Sequence, residues 1–141
     1  MKKFNTWAVS AAVIMLITGF IHSLSLFMAA EATNDTEKQM LDLMMNYQND
    51  LGAGFHRSMM TLFKALSSCF TMLYVFEGLL IIFFVRKKLP AIAMKGFLNI
   101  SILTFGVSFA IMLFMTFLPP IILTGLCLLC LVGARMTVPQ E

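Results

Sequence analysis

The sequence predicts an all-α fold: one polytopic membrane domain over 1–141, a bundle of four transmembrane helices with a short amphipathic helix in its external loop. Of its 141 residues, 60% are hydrophobic and 12% are charged, whereas soluble domains average about 45–50% and about 25%. Four apolar stretches also approach or exceed the roughly 20 helical residues needed to cross a bilayer core. The basic residues, finally, are concentrated in alternate loops.

The four predicted spans are separated by polar or proline-containing segments. They cover about 7–30, 58–85, 91–117 and 119–134. The first contains no charge, the second contains Lys64 and Glu77, and the third contains Lys95. Pro119 and Pro120 lie between the last two spans, and proline favours a first helical turn while disfavouring helix in the residue before it. We therefore expect a tight hairpin there rather than one long helix.

Lysine and arginine in the short loops predict the orientation of the spans, because cytoplasmic loops are enriched in them. If the helices alternate in direction, one side of the bundle carries Lys2, Lys3, Arg86, Lys87, Lys88 and Arg135. The other carries the 31–57 loop, which is mainly acidic. Both termini are predicted to be cytoplasmic and this loop external.

A cleaved signal peptide ending near Ala30 is the alternative for the first span. It would leave three spans. The length of the apolar run argues against it, as do Gly19, His22 and Ser25 in the second half of that run.

The external loop contains a predicted amphipathic helix. Asn34 followed by Glu37 resembles a capping box. An apolar stripe then recurs at helical spacing: Met40, Met44, Tyr47 and Leu51. Gly52 and Gly54 end the pattern, and we expect the helix to lie on the outer membrane surface or to cap the bundle.

Polar residues in the spans are the candidate functional residues, because each is costly in hydrocarbon and tends to face the bundle interior. The ligand-binding or polar-cluster candidates are His22, Ser25, Arg57, Thr61, Lys64, Ser68, Glu77, Asn99 and Ser101. Helix packing is the simpler role for such residues, with cross-helix hydrogen bonds worth roughly 0.6 kcal/mol each.

One polar cluster is expected beneath the external loop. It would contain His22, Ser25, Thr61, Lys64 and Ser68. A ligand or proton-relay role for His22 competes with simple pairing to a neighbouring hydroxyl. Lys64 is expected to extend its ammonium group to the lipid headgroups.

Glu77 lies about nine residues before Arg86, at a depth similar to Asn99 and Ser101 on the third span. We expect it to hydrogen-bond with one or both of them. The protonated acid is favoured over the carboxylate, because a low dielectric disfavours charge. Structural pairing and functional use both remain open for this residue.

Cys127 and Cys130 have the spacing of a redox or metal pair and resemble the pair in quinone-linked membrane thiol oxidoreductases. Those families need a second cysteine pair, and only Cys69 remains here. The intervening leucines supply no charge to favour a thiolate. We interpret the cysteines as apolar packing residues and keep thiol redox chemistry as the alternative.

The run 51–63 (LGAGFHRSMMTLF), together with Gly19-Phe20-Ile21-His22, resembles a group of small bacterial four-helix integral membrane proteins of uncharacterised function. The likeness covers most of the chain. It implies four spans and a bacterial inner-membrane location, and it groups His22, Gly52, Gly54 and Arg57 in one region. It implies no activity.

The preferred function is a binding or accessory subunit for a lipid-like or apolar ligand. The alternatives are a membrane enzyme, using His22 and Glu77 as acid and base or the cysteine pair for redox, and a small transporter acting as an oligomer. The expected partners are the lipid bilayer and another membrane protein or a second copy, while a net charge of +3 does not indicate nucleic acid. No cofactor and no metal site is predicted.

Overall fold

The structure, a computed structural model, describes residues 2–28 and 31–139. Within them lie five helices and one two-stranded sheet. In chain order the elements are α1 (Lys2–Ser25), α2 (Asp35–Asn46), β1 (Gln48–Asp50), β2 (His56–Ser58), α3 (Met59–Arg86), α4 (Ala91–Met115) and α5 (Leu118–Met136). The fold is all-helical apart from the short hairpin, and α1, α3, α4 and α5 are long and apolar enough to cross a membrane.

The first predicted span differs most from its helix. α1 begins at Lys2 rather than near residue 7, and it ends at Ser25. A turn follows, in which the N–H of Phe27 bonds to the Leu24 carbonyl at 3.1 Å. Residues 29 and 30, in which the prediction ended, lie outside the described residues. Apolarity shows which residues suit hydrocarbon, whereas backbone hydrogen bonding sets where a helix begins and ends.

The predicted helical hairpin between the last two long helices, α4 and α5, is confirmed. Only Thr116 and Phe117 separate α4 from α5. The Thr116 N–H closes α4 on the Met112 carbonyl at 3.1 Å, and Pro119 and Pro120 lie in the first turn of α5. Proline suits that turn because the first N–H groups of a helix have no intrahelical acceptor.

The chain divides into two compact units. The core unit comprises Met1–Thr18 and Tyr74–Glu141 and includes a segment of every long helix. The loop unit comprises Gly19–Leu73, which contains α2 and the hairpin.

Small residues of α1 lie at the centre of the core unit. Ala11 and Ala12 are fully buried. Glycines bring the neighbouring helices close: a Cβ at Gly78 of α3 would lie 3.1 Å from the Ala12 carbonyl, and one at Gly133 of α5 would lie 2.6 Å from the Trp7 ring. Close approach over small residues is typical of apolar helix packing.

Aromatic contacts join α4 to α3 in the same unit. The rings of Phe84 and Phe97 are 5.0 Å apart, and those of Tyr74 and Phe105 are 5.5 Å apart. Both pairs meet edge to face, the arrangement that aromatic quadrupoles favour. The four helix segments therefore pack around one core.

α2 in the loop unit begins as its sequence predicts. The N–H of Glu37 donates to Asn34 Oδ1 at 2.9 Å, and Glu37 Oε2 accepts from the Thr33 hydroxyl and N–H, each at 2.7 Å. These bonds hold the pKa of the Glu37 carboxyl below its usual 4.5, the Thr33 hydroxyl being the largest cause. The predicted stripe is too long, because α2 ends at Asn46 and Tyr47 is its C-cap.

The β-hairpin formed by β1 and β2 was not predicted. β1 and β2 pair antiparallel, with Asn49 opposite Arg57. Between them Gly52, Ala53 and Gly54 have φ of 82°, 52° and 80°, which glycine adopts without the steric penalty of a Cβ. The strands of three residues are polar and lack the alternating apolar pattern by which a hairpin is usually recognised.

Candidate functional site

Glu77 on α3 pairs with Ser101 on α4 in the core unit. The Ser101 hydroxyl lies within hydrogen-bonding distance of Glu77 Oε1 and of the Phe97 carbonyl. Ser101 is 4% exposed, and Glu77 is half-buried. The expected contact of Glu77 with the third predicted span is therefore present, through Ser101.

Asn99 takes part in a different contact. Arg135 Nε of α5 donates to Asn99 Oδ1 at 2.7 Å. Asn99 and Ser101 are two residues apart, so they point about 200° apart around α4. Of the two partners expected for Glu77, Ser101 faces α3, whereas Asn99 faces α5.

A second buried polar pair lies one turn from Glu77 and was missed by sequence reasoning. The hydroxyls of Tyr74 and Thr124 are 3.0 Å apart, which joins α3 to α5. A tyrosine in an apolar helix suggests aromatic packing, so Tyr74 was not among the predicted polar residues. The available signal was its position three residues before Glu77, which places both side chains on one face of α3.

The predicted outer cluster is not assembled through hydrogen bonds in the described part of the loop unit. Its hydroxyls bond locally: Ser25 Oγ to the His22 carbonyl at 2.6 Å, Ser68 Oγ to the Lys64 carbonyl at 2.8 Å, and Thr61 to Ser58 at 3.0 Å. Serine and threonine readily satisfy themselves on the preceding helical turn, which competes with bonds between helices. Arg57 likewise bonds to the neighbouring His56 carbonyl at 2.7 Å.

His22 and Thr71 each have a buried polar atom without a hydrogen-bond partner among the described residues: His22 Nε2 and Thr71 Oγ1. The His22 ring packs edge-on against Phe70, with the ring centroids 5.1 Å apart. The expected pairing of His22 with a hydroxyl is therefore absent at Nε2.

The cysteines occupy packing positions. Cys127 is 0% exposed and Cys130 is also buried, and both are free thiols on the face of α5 that carries Thr124, Leu131 and Ala134. Cys69, an exposed free thiol, belongs to the loop unit. This burial supports the packing interpretation, because an enclosed thiol is not accessible to a disulfide substrate.

The basic end of the core unit contains a pocket that sequence reasoning did not anticipate. At this end α1 and α4 begin and α3 and α5 end. The pocket has a volume of about 340 Å³, and eight of its ten lining residues are apolar. Phe4, Phe84, Leu89 and Met94 contribute to the apolar wall, while Asn5 and Lys88 are the polar lining residues.

Lys88 occupies a backbone position that usually belongs to glycine. Its φ is 51°. The Leu89 N–H bonds to the Phe84 carbonyl at 3.1 Å and the Lys88 N–H to the Val85 carbonyl at 3.2 Å, which is the Schellman pattern at the end of α3. A side chain in this left-handed region costs roughly 1 kcal/mol. The chain therefore places a cation beside the pocket at a conformational cost.

Comparisons with known protein families, with curated proteins and with solved structures found no match to this chain. The resemblance to small bacterial membrane proteins rests on the sequence motifs alone.

Positive charge predominates among the described residues of the core unit. The basic residues of the core unit are Lys2, Lys3, Arg86, Lys87, Lys88, Lys95 and Arg135. Among its described residues, Glu77 is the one acidic side chain. The site combines an apolar wall, one amide and one lysine, so it can hold an apolar group beside an anion.

Proposed function

We propose that this protein is a four-span protein of the bacterial inner membrane, with both termini in the cytoplasm, that acts as a binding subunit for a lipid-like ligand. The observation that carries the proposal is the pocket at the basic end. It is largely apolar and has two adjacent polar groups, as in most sites for amphipathic small molecules.

The surfaces of the long helices support a membrane setting. Each long helix exposes large apolar side chains, for example Phe20 of α1, Leu66 of α3, Leu103 of α4 and Leu129 of α5. Soluble monomers rarely expose contiguous apolar patches above a few hundred Å². Hydrocarbon around the helices would remove that penalty, and the basic end would then face the cytoplasm.

The chemistry of the lining favours binding over catalysis. Its two polar residues, Asn5 and Lys88, supply hydrogen-bond donors and positive charge. The ten lining residues include no carboxylate, histidine, cysteine or hydroxyl side chain, the groups that most often act as bases or nucleophiles. Glu77, the nearest candidate along α3, is hydrogen-bonded to Ser101.

The test is retention of an amphiphile by the protein purified from membranes in mild detergent, measured by native mass spectrometry. Asn5→Trp would fill the pocket from its wall. Thr6→Trp is the matched control, because Thr6 is the next residue on α1 and does not line the pocket. We expect one amphiphile per protein in the wild type and about 15-fold less with Asn5→Trp, equivalent to two buried methylenes at about 0.8 kcal/mol each.

Thr6→Trp should retain the wild-type amount. Absence of a bound amphiphile from the wild-type protein, or equal retention by both tryptophan variants, would contradict the proposed function.

A further inference from the structure

We propose that the ligand of this pocket is an anionic phospholipid, whose phosphate binds Lys88 while part of one acyl chain enters the apolar wall. This inference rests on the proposed function and specifies the chemical class of the ligand.

One backbone motif positions both the cation of this site and part of its apolar wall. The Schellman bonds at the end of α3 place Lys88 at φ 51° and bring Phe84 and Leu89 together through a backbone bond of 3.1 Å. All three residues line the pocket. The turn that presents the cation therefore also forms part of the apolar wall, and glycine, the usual residue at this position, could not bind an anion through a side chain.

The neighbouring lysine is positioned differently. Lys87 Nζ lies 6.0 Å from the centroid of the Phe83 ring, a cation–π distance, and neither residue lines the pocket. Two adjacent lysines in one turn thus have different surroundings. Lys87 supplies charge to the surface, and Lys88 supplies it to the pocket.

Charge selects among amphiphiles. The described part of the core unit has seven basic residues and one acidic residue, Glu77, which lies nine residues before the end of α3. The ammonium group of a zwitterionic lipid would be repelled by Lys88 and would find no carboxylate among the ten lining residues. A lipid with a net negative headgroup has no such repulsion and is attracted by the Lys88 ammonium group.

The apolar lining excludes strongly hydrophilic anions. A nucleotide or a free phosphate would desolvate its polar groups against eight apolar residues without compensating hydrogen bonds. The volume of about 340 Å³ is near the lower end for ligand pockets. It accommodates part of one chain, and the rest of the lipid would lie in the surrounding bilayer.

The experiment is a competition in detergent between phosphatidylglycerol and phosphatidylethanolamine with identical acyl chains, with bound lipid counted by native mass spectrometry. We expect the wild type to favour phosphatidylglycerol about fivefold, which corresponds to ~1 kcal/mol for one lysine. Lys88→Gly removes the cation and suits the left-handed backbone, so it should abolish the preference without lowering thermal stability. Lys88→Arg and Lys87→Ala should retain the preference.

Three results would overturn the inference. The first is a preference for phosphatidylglycerol that survives Lys88→Gly. The second is an equal loss of that preference with Lys87→Ala, which would indicate diffuse surface charge. The third is equal binding of the two lipids by the wild type. In that last case, displacement of both lipids by Asn5→Trp would leave the proposed function standing. If the wild type retains no lipid at all, the proposed function fails together with this inference.

Discussion

The phenol of Tyr74 on α3 and the hydroxyl of Thr124 on α5 share a hydrogen bond of 3.0 Å where both side chains are almost fully buried, at 5% and 2% exposed. The bond joins two helices, and its two residues are 50 positions apart in the sequence. Because neighbouring surfaces are apolar, a single polar pair of this kind can set the rotation and depth at which two helices meet.

Removing this pair should have a measurable but modest effect. We expect Tyr74→Phe and Thr124→Val each to destabilise the protein, with a coupling energy of about 0.6 kcal/mol in the double-mutant cycle, since an orphaned threonine can bond to its own helix. Reversible unfolding in mixed micelles is the measurement. A coupling energy of zero would show that the contact does not contribute to stability.

Ser101→Ala should destabilise the core unit by about 1–3 kcal/mol, because it leaves the Glu77 carboxyl without its hydroxyl donor. Adding Glu77→Leu should recover part of that loss, since removal of both partners of a buried bond can be nearly neutral. Unfolding of the single and double variants tests this. Further destabilisation by the second substitution would argue against simple pairing of Glu77 with Ser101.

Gly133→Ala should destabilise the protein by about 1–3 kcal/mol through overpacking. The added Cβ would lie 2.6 Å from the Trp7 ring, so α1 or the indole must move. Gly106→Ala is the matched control, because a Cβ there meets nothing within 4 Å and should stabilise α4 by about 0.5–1 kcal/mol. Thermal unfolding should rank the two variants on opposite sides of the wild type, and a shift of both in the same direction would contradict this packing.

The start of α2 should weaken in acid. The pKa of Glu37 is lower in the folded state than its ordinary 4.5. Its contribution to stability is therefore fully present above 4.5 and is lost as pH falls through the lowered folded value. Carboxyl NMR titration measures this pKa, and Thr33→Val should move it back up by removing the hydroxyl donor. A Glu37 that titrates at 4.5 or above in the wild type would show that the cap is not formed.

Membrane orientation can be tested by thiol labelling in intact bacteria, in a Cys69→Ser background that removes the exposed native thiol. Asn46→Cys, in the loop unit, should react with a membrane-impermeant maleimide added from outside. Lys87→Cys, at the basic end, should react only after the cells are permeabilised. The reverse pattern would invert the topology that the loop charges predict.

The sequence alone was enough to place the bounds of three of the four long helices. Hydropathy and length are local properties, so α3, α4 and α5 begin and end within two residues of the predicted spans 58–85, 91–117 and 119–134. The cap at Asn34 and the helical hairpin before Pro119 were also predicted, because each depends only on residues that are neighbours in the chain.

Contacts between helices were determined by the tertiary structure. Asn99 and Ser101 lie at similar depth, and the packing of α4 decided that Ser101 meets Glu77 while Asn99 meets Arg135. The pocket draws its lining from the start of α1, the turn after α3 and the segment after α5, which no local pattern connects. Periodicity places a residue on a helix face, but only the rotation and approach of packed helices decide what that face contacts.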